Sequence, residues 1–159
     1  MITSRKQFKI IVSCAAAILW MLLIFYLSSQ TAESSNSMST GITEVIMNFV
    51  DRVVPEVEIE LESFNHIVRK YAHFVAYLVL GVLVLNAHII SGRNEKRALL
   101  STLVICVLYA ISDEIHQAFV PGRGPQVKDV LIDSAGALVG IVIYFIPSKI
   151  KWERTKHTI

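Results

Sequence analysis

Four long apolar runs, separated by short polar or charged stretches, constrain this chain more than any other feature. Ile10 to Leu27 is free of charged residues over 18 positions and follows Arg5, Lys6 and Lys9. That is enough to span a bilayer as a helix. The core of a secretory signal peptide is usually shorter and ends in small residues, whereas this run ends in Ser28-Ser29-Gln30, so it reads as a retained first helix (TM1, 10–27). Tyr71 to Ile90 has no Asp, Glu, Lys or Arg and gives TM2 (71–90). Ala98 to Val120 gives TM3 (98–120), Val130 to Ile146 gives TM4 (130–146), and a basic tail follows at 147–159. At 53% hydrophobic and 18% charged residues, the 159-residue chain is too apolar for a soluble domain of its size. The expected class is an all-α polytopic membrane protein of a single domain. Cys14 and Cys106 both fall in apolar runs and read as small core residues, not a disulfide.

Residues 28–70 form the extracytoplasmic segment of this plan. Positions 31 to 68 hold seven acidic residues against one basic residue, Arg52. Ile42, Val45, Ile46, Phe49, Val50 and Val53 recur at helical spacing, which predicts a short amphipathic helix ending before Pro55. Its acidity disfavours an anionic lipid surface, so the apolar face is expected to pack on protein. Glu56, Glu58, Glu60 and Glu62 suit the first turns of the next helix. Ten Lys and Arg lie in the N-terminus, the 91–97 loop and the tail, against five (Arg52, Arg69, Lys70, Arg123 and Lys128) on the other side. The positive-inside rule then puts both termini in the cytoplasm.

The ionisable chemistry concentrates between 112 and 133. At ~1.5 Å per residue, Asp113 lies roughly 22 Å along TM3 from Ala98, in the outer half of a core roughly 30 Å thick. Lys70, His73 and Tyr77 form one helical stripe, and Asp113, His116 and Gln117 a second, with Glu114 beside it. Asp129, Asp133 and Gly136 form a third. Polar stripes at one depth pair most cheaply with each other, which predicts a polar pocket open to the external surface. Arg123 and Lys70 suit an anionic head group. Glu114, His73 and Asp113 are the candidates for acid/base chemistry, although no nucleophile is tied to a histidine by spacing. The stripes contain ligand types for zinc, yet no H-E-x-x-H or cysteine pair accompanies them, so neither a metal nor another cofactor is expected. Gly136-x-x-x-Gly140 reads as a close-packing face, within the chain or between copies. His88 and Asn86 read as interfacial residues near the cytoplasmic end of TM2.

These residues also carry a resemblance. Arg69-Lys70-x-x-His73-Phe74-x-x-Tyr77, Ser112-Asp113-Glu114-x-His116-Gln117-x-Phe119-x-Pro121-Gly122-Arg123 and Asp129-x-x-x-Asp133-x-x-Gly136 together resemble the VanZ-like family of bacterial membrane proteins. The likeness covers nearly all of the chain except the acidic segment near 31 to 60. It implies a cell-envelope protein of the bacterial cytoplasmic membrane, from a family linked to lowered susceptibility to the glycopeptide teicoplanin. Family members often have Asn in place of Asp133, so that position can serve as a charge, an acid or a hydrogen-bond partner. The function expected from residues and resemblance together is recognition of membrane lipids or a lipid-linked cell-wall intermediate. The alternatives are an intramembrane hydrolase or transferase on the same substrate class, and a structural subunit whose residues 31–60 meet an envelope protein partner. No nucleic acid partner is expected.

Overall fold

A computed structural model describes residues 2–53 and 61–156. It has five helices: α1 (Ile2–Ser28), α2 (Ala32–Val53), α3 (Leu61–Ile90), α4 (Glu95–Gln117) and α5 (Val127–Lys156), with no strand among the described residues. Four of them are long and apolar enough to cross a membrane: Ser4–Ser28, Phe64–Ile90, Glu95–Gln117 and Val127–Ile146. Large apolar side chains such as Leu19, Leu22, Leu100, Leu108 and Leu131 are exposed on these helices. An apolar exterior of this extent is stable only in lipid or against protein.

The helix boundaries differ from the apolar runs at several places, each with a local cause. The second spanning helix begins well before Tyr71, since the polar residues Asn65, Arg69 and Lys70 continue the same helix. Asn94 caps α4 by accepting the Lys96 N–H at 3.1 Å, which starts the third span before Ala98. α4 stops at Gln117, because residues 118–120 turn into the Pro121-Gly122 loop, where Gly122 has φ +76°. Gly92, at φ +82°, ends α3 in the left-handed conformation that favours glycine. The acidic positions Glu56, Glu58 and Glu60 lie outside the described residues.

α3 and α5 form the tightest pair, and glycine makes it possible. A methyl group at Gly136 would collide with the backbone carbonyl of Phe74, and one at Gly140 with that of Leu78. One at Gly81 would meet the Ala137 carbonyl. The small-residue face thus packs inside one chain, backbone against backbone. α1 joins this pair through the Trp20 indole N–H, which donates to the Ala76 carbonyl at 2.8 Å, and through the Tyr109 hydroxyl of α4, which donates to the Met21 carbonyl. Ala17, Ile24, Tyr77, Leu80, Val84, Cys106, Ala110 and Ala137 form the main core. Cys106 is buried there. Cys14 is exposed, contrary to its reading as a core residue, because the α1 face turned inward carries Ser13 and Ala17 instead.

Asn86 and His88 are not merely interfacial. Asn86 donates to Ser13 Oγ at 3.2 Å and accepts from the Tyr144 hydroxyl at 2.9 Å, linking α1, α3 and α5. His88 Nδ1 lies 3.0 Å from Thr102 Oγ1 of α4. Replacing Asn86 with Ala is expected to cost about 1 kcal/mol, read as a lowered thermal midpoint of the detergent-solubilised protein.

α2 is longer than the predicted helix and packs with the opposite face. Thr43 and Thr40 approach Asn65 at 3.4 Å each, and the Arg69 guanidinium donates to Asn36 Oδ1 at 3.4 Å. Ser39 and Thr43 are buried, while Met38, Ile42, Val45 and Phe49 are exposed, Val45 by 70%. The expectation that the apolar stripe packs on the protein therefore holds only in part: Ile42 faces α1 and α3 across a cavity, whereas Val45 and Phe49 are exposed. Polar groups at the start of α3 claim the polar face of α2 and turn Val45 and Phe49 outward.

Candidate functional site

The end of the bundle that carries the 118–126 loop gathers most of the polar stripes. Phe74 rests on Gly136, so the helix turn holding His73 and Tyr77 meets the turn holding Asp133. His73 Nδ1 lies 3.6 Å from Asp133 Oδ1, and Asp133 is fully buried. Asp113 of α4 completes the group: ligand-capable atoms of His73, Asp113 and Asp133 all lie within 4.8 Å of one another. Gln117, one turn on from Asp113, donates to its Oδ2 at 3.2 Å. The other oxygen of Asp113, both oxygens of Asp133 and the buried Tyr77 hydroxyl make no hydrogen bond.

A cavity of about 240 Å³ opens beside this cluster. Ile24, Leu27, Met38, Ile42, Val68 and Ala76 make it largely apolar, whereas Ser28, His73, Tyr77 and Asp113 add polar groups and Arg69 and Arg123 add positive charge. Arg123 donates to the Ser28 carbonyl at 3.1 Å and to Ser35 Oγ at 2.6 Å, thereby tying the 118–126 loop to α1 and α2. Its Nε is buried without a partner. Among the described residues, neither Arg69 nor Arg123 has a carboxylate within ion-pair distance. Burial lowers the pKa of Arg123 from its ordinary value, and the like charge of Arg69 lowers it further. The Arg123 guanidinium stays charged at neutral pH.

The remaining sequence candidates sit around this centre rather than in the cavity. Glu114 accepts the Gln126 N–H at 2.7 Å and so anchors the start of α5. A carboxylate there opposes the positive end of the helix dipole. Lys70 and Asp129 form a long, partly exposed pair at 3.9 Å, a geometry that contributes little stability. The His116 ring lies against Phe25 with centroids 4.4 Å apart. His73, Tyr77, Asp113 and Arg123 line the cavity, Asp133 stands behind it, and Lys70, Glu114, His116, Gln117 and Asp129 support the surrounding frame.

Sequence reasoning missed Arg69, Ser35 and the apolar wall. Arg69 had a signal, since it belongs to the quoted Arg69-Lys70 pair. Ser35 and Met38 had none, because only the packing of α2 brings them to the bundle, whereas Ile42 belongs to the stripe that helical spacing singles out.

The family model described as VanZ/LLP1 matches residues 13–148. The chain belongs to the VanZ/LLP1 family. No curated protein and no solved structure matches it. The match covers most of the first membrane-length helix and the whole of the other three, and includes every residue of the His73, Asp113 and Asp133 cluster. This VanZ/LLP1 protein is a membrane protein by its family and its four apolar helices.

Proposed function

We propose that this VanZ/LLP1 protein resides in the bacterial cytoplasmic membrane with both termini inside, and that its cavity faces outward and recognises an anionic envelope lipid or lipid-linked head group. The orientation rests on the excess of Lys and Arg on the side of the termini and the 91–97 loop. α2 is then an extracytoplasmic amphipathic helix whose Val45 and Phe49 enter the outer interfacial layer. Through the bound lipid the protein would lower glycopeptide susceptibility, teicoplanin included.

One observation carries this reading: a single cavity joins an apolar wall to two guanidiniums that, among the described residues, have no carboxylate within ion-pair distance. A lipid with an anionic head supplies both complements, whereas a soluble anion leaves the wall wet and a neutral lipid leaves the charges unpaired. The clustered His73, Asp113 and Asp133 favour an intramembrane hydrolase or transferase as the second reading. The exposed stripe of α2 also suits a partner protein docking on residues 31–60.

Mass spectrometry of lipids that co-purify with wild type, Arg69→Ala and Asp113→Asn separates these readings. Wild type is expected to carry an anionic lipid that Arg69→Ala loses and Asp113→Asn keeps unaltered. If Asp113→Asn accumulates a lipid that wild type holds in chemically altered form, the protein is an enzyme. If no preparation is enriched in any lipid over the surrounding membrane, the lipid reading fails and a protein partner of α2 takes its place.

A further inference from the structure

We propose that His73, Asp113 and Asp133 bind one divalent transition metal, Zn²⁺ or Mn²⁺, at the buried end of the cavity. The three side chains come from three helices, α3, α4 and α5, and their ligand-capable atoms lie within 4.8 Å of one another. The 3.6 Å between His73 Nδ1 and Asp133 Oδ1 is close to the roughly 3.3 Å that separates two ligands held about 2.0–2.1 Å from a tetrahedral centre.

The independent sign of a ligand is a set of buried oxygens with no hydrogen-bond donor in place, the His73–Asp133 contact at 3.6 Å being at ion-pair distance only. Asp133 is fully buried and neither of its oxygens accepts a hydrogen bond; Asp113, 2% exposed, leaves one oxygen free. Tyr77, also fully buried, leaves its hydroxyl unpartnered on the same cavity. Buried carboxylates are ordinarily paired or coordinated to metal. Among the described residues no Lys or Arg forms an ion pair with Asp113 or Asp133: Lys70 pairs with Asp129, and Arg69 and Arg123 hydrogen-bond Asn36, Ser28 and Ser35. A protonated His73 balances one carboxylate. A divalent ion balances both while leaving His73 neutral, and occupies the free lone pairs.

The donor set selects the metal class. An imidazole with two carboxylates suits Zn²⁺ or Mn²⁺ better than the all-oxygen preference of Ca²⁺ or Mg²⁺, and no thiolate in the cluster draws a softer ion. Three protein ligands leave at least one coordination position open. His73 and Asp113 line the cavity, so that position meets whatever the cavity holds. The site stands on the cluster alone and does not depend on the lipid reading.

The full chain, stripped with chelator in detergent and dialysed against Zn²⁺ or Mn²⁺, is expected to retain one equivalent by elemental analysis. Asp113→Asn and Asp133→Asn should bind at least tenfold more weakly. Glu44→Gln, which alters an exposed carboxylate of α2 away from the cluster, should bind like wild type. Pulsed electron paramagnetic resonance of Mn²⁺-loaded wild type should detect the nitrogen of a single imidazole, locating the ion even if a variant fails to fold. Substoichiometric uptake by wild type for both metals, unchanged uptake by both Asp variants, or bound Mn²⁺ without an imidazole nitrogen would each overturn the proposal. Because no lipid is added, a failed metal site and a failed lipid site give different results.

Discussion

Gly140→Ala is expected to destabilise the protein by about 3 kcal/mol, the upper part of the range for overpacking a filled interior. The added methyl group would lie on the Leu78 carbonyl, which is backbone and cannot rotate away as a side chain would. α3 and α5 must therefore separate, loosening the contact that also brings His73 to Asp133. Gly41 provides the control. A methyl group there meets nothing within 4 Å, so Gly41→Ala should leave stability unchanged or raise it by up to ~1 kcal/mol through helix propensity. Thermal midpoints of the two variants in the same detergent check the contrast. Equal midpoints would mean that the α3–α5 contact is not the closest in the bundle.

Arg123→Ala should have the second largest effect, because one side chain holds three segments together. Its guanidinium supplies a donor to the Ser28 carbonyl at the end of α1 and another to Ser35 of α2, from a loop that itself accepts the Ala32 N–H at the Pro121 carbonyl. Hydrogen bonds from a charged donor contribute roughly 1.5–3 kcal/mol each. With partial solvent access, about 2 kcal/mol for the pair is the expected loss. Arg123→Lys keeps the charge but cannot reach two acceptors in a fork, so it should fall between wild type and Ala. The check is thermal unfolding together with proteolysis between α1 and α2, which should accelerate in the order wild type, Lys, Ala. Unchanged proteolysis in Arg123→Ala would contradict the tie.

The four spanning helices were legible because charge-free apolar runs have few other uses, and helical spacing put His73, Asp113 and Asp133 on polar stripes. Two features were not legible. The three-helix grouping of His73, Asp113 and Asp133 has no local spacing, since it depends on how closely Gly136 and Gly140 let α3 approach α5. For that reason the ligand motifs absent from the sequence said little about a metal. The face presented by α2 was misjudged for a different reason. Periodicity finds the apolar stripe but not its partner: Asn65 and Arg69, which no apolar pattern singles out, engage α2's polar face. Glu114 drew attention as an ionisable residue at membrane depth; its oxygen holds the start of α5, a role visible only once the 118–126 loop folds back.

The measurement that bears most directly on the central claim is site-specific photo-crosslinking in native membranes. A photoreactive residue at Met38, which lines the cavity, is compared with one at Leu100, which is exposed on the outside of α4. The lipid-sized adducts are then identified by mass spectrometry. A cavity that holds an anionic lipid predicts adducts at Met38 dominated by one anionic species, while Leu100 samples the bulk lipid mixture. The same mixture at both positions would contradict selective recognition by the cavity.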